Sequence, residues 1–271
     1  MPTNGNIQVR QYGTGARTVV VLHGGPGAPG FAVGLAKLLA EDFTVLEPLQ
    51  RRSEGEPLTV ARHVRDLADV APSRAALVGH SFGAMLALSY AARHPERVTR
   101  IVLVGCGTYD SASRASMKQI LSTRLGPAAM AQIAELEAAI PGAATPAERA
   151  LLLRRLGAAF GLVESYDLVD PIESDRDDLP VDPDGHRETW QDVLRLQAEH
   201  IEPELFATIR VPVLLVQGDT DPHPGAMIRD VLRKHIPQLE YIELERCGHE
   251  PWRERHAREI FRGALRIWLN R

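Results

Sequence analysis

Ala75-Ala76-Leu77-Val78-Gly79-His80-Ser81-Phe82-Gly83 is the stretch of this chain whose reading decides the fold. Its first four residues form an apolar run of strand length, and residues 84–93 beyond the second glycine have helix-forming composition. The expected product is a strand, a sharp turn and a helix, with Ser81 at the apex. Gly79 and Gly83 lack the Cβ atoms that would hold strand and helix apart. So tight a turn keeps the central residue in strained backbone geometry and projects its side chain from the sheet edge. Ser81 is therefore a candidate nucleophile; the competing reading is a glycine-rich turn with an incidental serine.

On the N-terminal side, residues 7–12 alternate like an edge strand, 18–22 (Thr-Val-Val-Val-Leu) form the β-branched run of a buried parallel strand, and 43–46 read as another strand. Helical patterns cover 31–40, 60–70 and 82–93, and a strand follows at 101–104. Strands alternating with helices predict an α/β fold, a mostly parallel sheet flanked by helices. The rhythm then changes: 112–125, 127–139, 146–160 and 188–200 read as helices, with an Asp/Pro-rich loop over 170–185. Strand character returns at 211–216 and 240–244, with helices at 226–235 and 253–269. A helical insertion, 107–208, thus interrupts one core domain made of 1–106 and 209–271.

The chain has 271 residues with 44% hydrophobic and 24% charged content, enough for a sizeable core. Its 31 basic and 35 acidic residues leave a net charge of −4, and no Lys/Arg run exceeds two residues, which weighs against nucleic acid and anionic membranes as partners. No apolar run of membrane-spanning length occurs and the first ten residues are polar, so a cytoplasmic location is expected. Cys106 and Cys247 are expected to be free thiols. Oligomeric state is not legible.

A serine hydroxyl needs a base to take its proton and a carboxylate to orient that base. The strand at 211–216 runs into Gln217-Gly218-Asp219-Thr220-Asp221-Pro222, and that at 240–244 into Arg246-Cys247-Gly248-His249-Glu250. Both loops fall at strand C-terminal ends, beside Ser81. His249 is the candidate base. Asp221 is the candidate acid, with Asp219 and Asp110 as competitors. Phe82 N–H at a helix start is one candidate oxyanion donor, and Gly25 N–H in His23-Gly24-Gly25-Pro26-Gly27 is the other.

Taken in order, His23 to Gly27, Gly79 to Gly83, His94-Pro95-Glu96-Arg97-Val98, Gly218 to Asp221 and Cys247 to His249 make the chain resemble an α/β-hydrolase of the proline iminopeptidase-like branch. The resemblance implies an α/β-hydrolase fold with the insertion as a helical cap after the sixth-strand position, and the chain order Ser81, Asp221, His249 agrees with it. The spacing Gly-x-x-Asp within that resemblance favours Asp221 over Asp219. Two motifs depart from the peptidases: Leu49-Gln50-Arg51-Arg52-Ser53-Glu54 stands where they carry Asp-Gln-Arg-Gly-x-Gly, and the elbow has His80 and Phe82 where they carry Gly and Trp. Those peptidases bind a free amine on cap carboxylates, for which Glu135, Glu164, Glu173, Asp192 and Glu199 are candidates.

The expected function is a serine hydrolase acting on a small-molecule ester or amide. Alternatives are an aminopeptidase of the proline iminopeptidase type and a non-catalytic small-molecule receptor. Gly25 to Gly30 also spells a dinucleotide fingerprint with Glu47 downstream, but Pro26 and Pro29 lack the N–H groups a pyrophosphate needs, so no cofactor is expected. His63, His94, His186, His200, His223, His235 and His256 show no paired metal-ligand spacing, so no metal is expected. His80 is expected to pack or hydrogen-bond structurally, and His23 to brace the 23–27 loop. Trp252 and Trp268 are expected as core residues on the last helix, and Trp190 between insertion and core.

Overall fold

The computed structural model describes residues 7–169 and 179–271. Strands β1 (Val9–Tyr12), β2 (Thr18–Leu22), β3 (Thr44–Pro48), β4 (Ala75–His80), β5 (Val98–Val104), β6 (Val213–Gly218) and β7 (Leu239–Leu244) form one sheet in the order β1-β3-β2-β4-β5-β6-β7. β1 runs antiparallel to β3, and every other neighbouring pair is parallel. Helices α1 (Val33–Leu39), α2 (Val60–Val70), α3 (Phe82–Arg93), α7 (Gly225–Arg233) and α8 (Arg258–Asn270) supply the covering layers. Successive side chains of a strand face opposite ways. Val20, Leu22, Leu77, Ile101, Leu103, Val213 and Leu215 therefore pack with α2, α3 and α7, whereas Val19, Val21, Val78, Val102, Val104, Leu214 and Val216 pack with α1 and α8. Burial on both faces is why these strands are unbroken apolar runs in sequence.

The insertion follows β5, the fifth strand of this chain, and contains α4 (Ser111–Ala139), α5 (Pro146–Glu164) and α6 (Pro183–Ala198). The two helices expected over 112–139 are continuous in hydrogen bonding but broken in direction at Gly126 (φ 69°, ψ 171°), just before Pro127. A proline bars the preceding residue from helical geometry, and glycine accepts the alternative. α6 begins inside the stretch expected as loop, because Asp182 caps it by accepting Gly185 N–H at 3.1 Å and Pro183 occupies the first turn. Residues 170–178 of that loop, and with them Glu173, lie outside the described residues.

α6 is packed into the core rather than laid over it. Val193 and Leu196 join the core beside α2 and α3, with Trp190 against it as expected. Asp192 accepts Val60 N–H at 2.8 Å and Glu188 accepts Leu58 N–H at 2.9 Å, so two acids of α6 tie down the start of α2. The last helix starts at Arg258, five residues later than its sequence pattern suggests, because Pro251–Arg253 form a short 3-10 turn. Trp252 is on that turn and Trp268 on α8, both buried. Cys106 and Cys247 are buried free thiols. Among the described residues no helix is long and apolar enough to cross a membrane.

Candidate active site

The turn after β4 carries Ser81 at φ 53° and ψ −118°, a left-handed conformation costly for any residue with a Cβ. Its N–H donates to Val104 O at 2.9 Å, fixing the apex to β5. A Cβ on Gly79 would lie 2.2 Å from Gly83 O, and one on Gly83 2.2 Å from Leu22 O, so strand, helix and β2 meet here only because both residues are glycine. Phe82 is the first residue of α3, and an N–H at that position has no carbonyl one turn back to pair with.

The 23–27 loop packs directly against this turn: a Cβ on Gly24 would fall 2.8 Å from Ser81 Cβ and 2.9 Å from His80 Nδ1. His23 braces the loop as expected, pairing through Nδ1 with Gly24 O at 3.0 Å while Nε2 accepts Gln50 N–H at 3.0 Å. Burial lowers its pKa to about 4, so the ring is neutral, with its proton on Nδ1. On its outer side the loop is held by the insertion, where Asp182 N–H donates to Gly27 O at 2.6 Å and His186 Nδ1 pairs with Pro26 O at 3.0 Å.

β6 and β7 end in step, Gly218 opposite Leu244, which brings their following loops together. Asp221 Oδ2 accepts His249 Nδ1–H at 2.8 Å and a Gln217 side-chain N–H at 2.6 Å. Oδ1 takes two donors from one residue, His223 N–H and His223 Nδ1, both at 2.9 Å. Burial would raise the Asp221 pKa, but the charges and hydrogen bonds of His249 and His223 outweigh it and hold the carboxyl well below the usual range. Burial likewise would lower His249, yet the Asp221 charge and hydrogen bond, helped by Glu164 and Glu250, push it above 6.5. The competing acids serve elsewhere: Asp219 accepts Cys247 N–H at 3.1 Å, and Asp110 caps α4 through Ser113 N–H at 2.6 Å.

His80 is buried. Its Nε2 pairs with His249 O at 3.2 Å and its ring stands edge-on to Trp252, with burial and the His249 charge lowering its pKa to about 3. Glu254, which the sequence reading did not single out, is fully buried and accepts N–H groups from Gly248 (3.0 Å), Tyr166 (2.8 Å) and Asp167 (2.7 Å). With the Glu164 carbonyl accepting His249 N–H at 2.8 Å, it fastens the end of α5 to the histidine loop. Acceptance by three backbone donors leaves no signature in local sequence. His223 was also missed, although Asp221-x-His223 was a legible local signal.

Asp221, His223 and His249 gather atoms of metal-ligand type within 4.8 Å of one another, but hydrogen bonds among themselves already engage the Asp221 oxygens and both Nδ1 atoms. Glu47, the acid of the dinucleotide pattern, is buried and accepts the Tyr12 hydroxyl at 2.8 Å. Of the acids on the insertion, Asp192 and Glu199 pair with Arg195, Glu135 is exposed, and Glu164 lies at the histidine loop. Two hollows of about 530 and 490 Å³ share Arg52 and Pro180, and neither is lined by Ser81 or His249.

Comparison with known proteins places the chain in a family. A 2-hydroxy-6-oxononadienedioate/2-hydroxy-6-oxononatrienedioate hydrolase of Pseudomonas putida is 38% identical over 117 residues, covering 38% of this chain and 41% of that protein. The chain thus spans about two fifths of the length of such curated relatives. Solved structures share the fold at low identity: an esterase from Exiguobacterium antarcticum (TM-score 0.66, 18% identity, covering 98% of this chain and 96% of the other) and a thermophilic esterase from Thermogutta terrifontis (TM-score 0.62, 19%, 97% and 93%). A family model described as the alpha/beta hydrolase family matches residues 19–262, nearly the whole chain, and the chain belongs to that family.

Proposed function

We propose that the protein is a serine hydrolase of small-molecule substrates. The observation that carries this is the Asp221–His249 hydrogen bond at 2.8 Å, at the same sheet edge as a serine held at φ 53°. In this reading His249 Nε2 takes the Ser81 proton as Oγ bonds the substrate carbonyl carbon, and Phe82 and Gly25 N–H groups hold the oxyanion. Collapse expels the leaving group, protonated by His249. Water, deprotonated by the same ring, then releases the acid and restores Ser81. The favoured substrate is a carboxylic ester or amide. A second reading, hydrolysis of a carbon–carbon bond next to a carbonyl, is supported by the names of the curated relatives. The proline iminopeptidase-like reading requires an acid on the insertion to bind an amine, and Glu164, whose backbone carbonyl meets the histidine loop, is its candidate.

The test is labelling with a fluorophosphonate probe, followed by turnover of short p-nitrophenyl esters, prolyl arylamides and a vinylogous 1,5-diketone, each with Ser81→Ala as control. Labelling lost in Ser81→Ala is expected. A folded protein that takes no label refutes the hydrolase reading and favours a receptor.

A further inference from the structure

We propose that His223 is a positioning residue of the hydrolytic centre, acting through Asp221; the inference rests on the triad reading above. A carboxylate on a loop can rotate about χ2 and present either oxygen to its partner. Here each oxygen takes two donors, Oδ2 from Gln217 and His249 and Oδ1 from His223 alone. His223 donates to Asp221 Oδ1 from its backbone N–H and from Nδ1, each at 2.9 Å, which fixes the plane of the carboxylate. Oδ2 is thereby left facing His249 Nδ1 at 2.8 Å. The two imidazole rings are stacked, with centroids 4.6 Å apart and planes at 19°, so His223 also limits tilting of the His249 ring. Asp221 has no exposed side-chain surface and His223 keeps 16%, so the brace lies on the outer side of the acid. The His80 ring also lies against His249, with centroids 4.6 Å apart and planes at 55°.

His223→Ala removes the Nδ1 donor and the stacked ring together; His223→Asn keeps an N–H donor at nearly the same distance from the backbone. Both are compared with the wild-type protein by the fluorophosphonate labelling rate and by the downfield proton resonance of His249 Nδ1–H, a signal that needs no substrate and that a general packing role would leave in place. Labelling of His223→Ala is expected to slow about tenfold, equivalent to about 1.4 kcal/mol at the transition state, with its downfield resonance broadened or lost. His223→Asn is expected to stay within about threefold with the resonance retained. Equal losses in the two variants, or a His223→Ala that labels at the wild-type rate with its resonance intact, overturn the proposal. Should the triad reading itself be wrong, the wild-type protein fails to label while the resonance still reports on His223.

Discussion

Replacing Gly24 by alanine tests how closely the proposed oxyanion loop must sit on the Ser81 turn. The new Cβ would lie 2.8 Å from Ser81 Cβ, 2.9 Å from His80 Nδ1 and 3.0 Å from His80 O. Ordinary contact begins at 3.4 Å, so something must move by about 0.6 Å. β4 and α3 cannot yield readily, because Ser81 N–H is bonded to β5 and His80 is buried between Trp252 and His249. The 23–27 loop is therefore displaced, carrying the Gly25 N–H with it. Misplacement of a catalytic group by about an ångström costs on the order of 100-fold, and overpacking costs about 1–3 kcal/mol of stability. The expected result is a folded protein whose fluorophosphonate labelling slows about 30- to 100-fold. Gly142→Ala, with nothing within 4 Å of the new Cβ, is the control and should label normally. A folded Gly24→Ala that labels within threefold of the wild-type rate would refute the proposed placement of the oxyanion loop.

Asp221→Asn should lower kcat by roughly 10³–10⁴ and move the acidic limb of kcat/KM downward, because Asp221 is what holds the His249 pKa above 6.5. A limb that stays in place in ester assays across pH would contradict this coupling. By the same linkage the histidine's share of stability is complete below 6.5 and fades as pH rises through its raised folded value, while the carboxylate's share is complete above 3.8 and fades as pH falls. Thermal melts across pH should therefore show the pair contributing most between 3.8 and 6.5. Ser81→Gly should abolish labelling yet raise stability by about 1 kcal/mol, since relief of strain at φ 53° exceeds the added chain entropy; a lower melting temperature would show that the turn is not strained. Glu254→Gln places an NH₂ group against a backbone donor and should cost about 1–3 kcal/mol, read as a fall of several degrees in Tm; an unchanged Tm would refute its role as a clamp.

Most of the elements that frame the site were legible. β2, α2 and α3 have the boundaries their apolar patterns suggest, because buried parallel strands and core helices are specified by local periodicity. The edges of the insertion were less so. α6 starts five residues earlier than its periodic pattern because a capping aspartate and a proline outweigh the polar composition around them, and its acids cap α2, more than 120 residues away in sequence. The start of α8 was misplaced because the chain leaves helical geometry around Glu254, whose partners lie on the insertion and the histidine loop.

By itself the sequence determined the alternation of strands and helices, the serine turn between two glycines, and an acid-bearing and a histidine-bearing loop at strand ends. Those features depend on side-chain period, on missing Cβ atoms and on chain order, all of which are local. Only the tertiary structure decided which acid meets His249: Asp219 and Asp221 are two residues apart, and the first turns to Cys247 N–H while the second turns to the ring. It alone stacked His223 on the His249 ring and buried Glu254 beneath the histidine loop. The direction a side chain leaves a loop is fixed by what packs around that loop, and here those partners come from the loop after β7 and from the insertion.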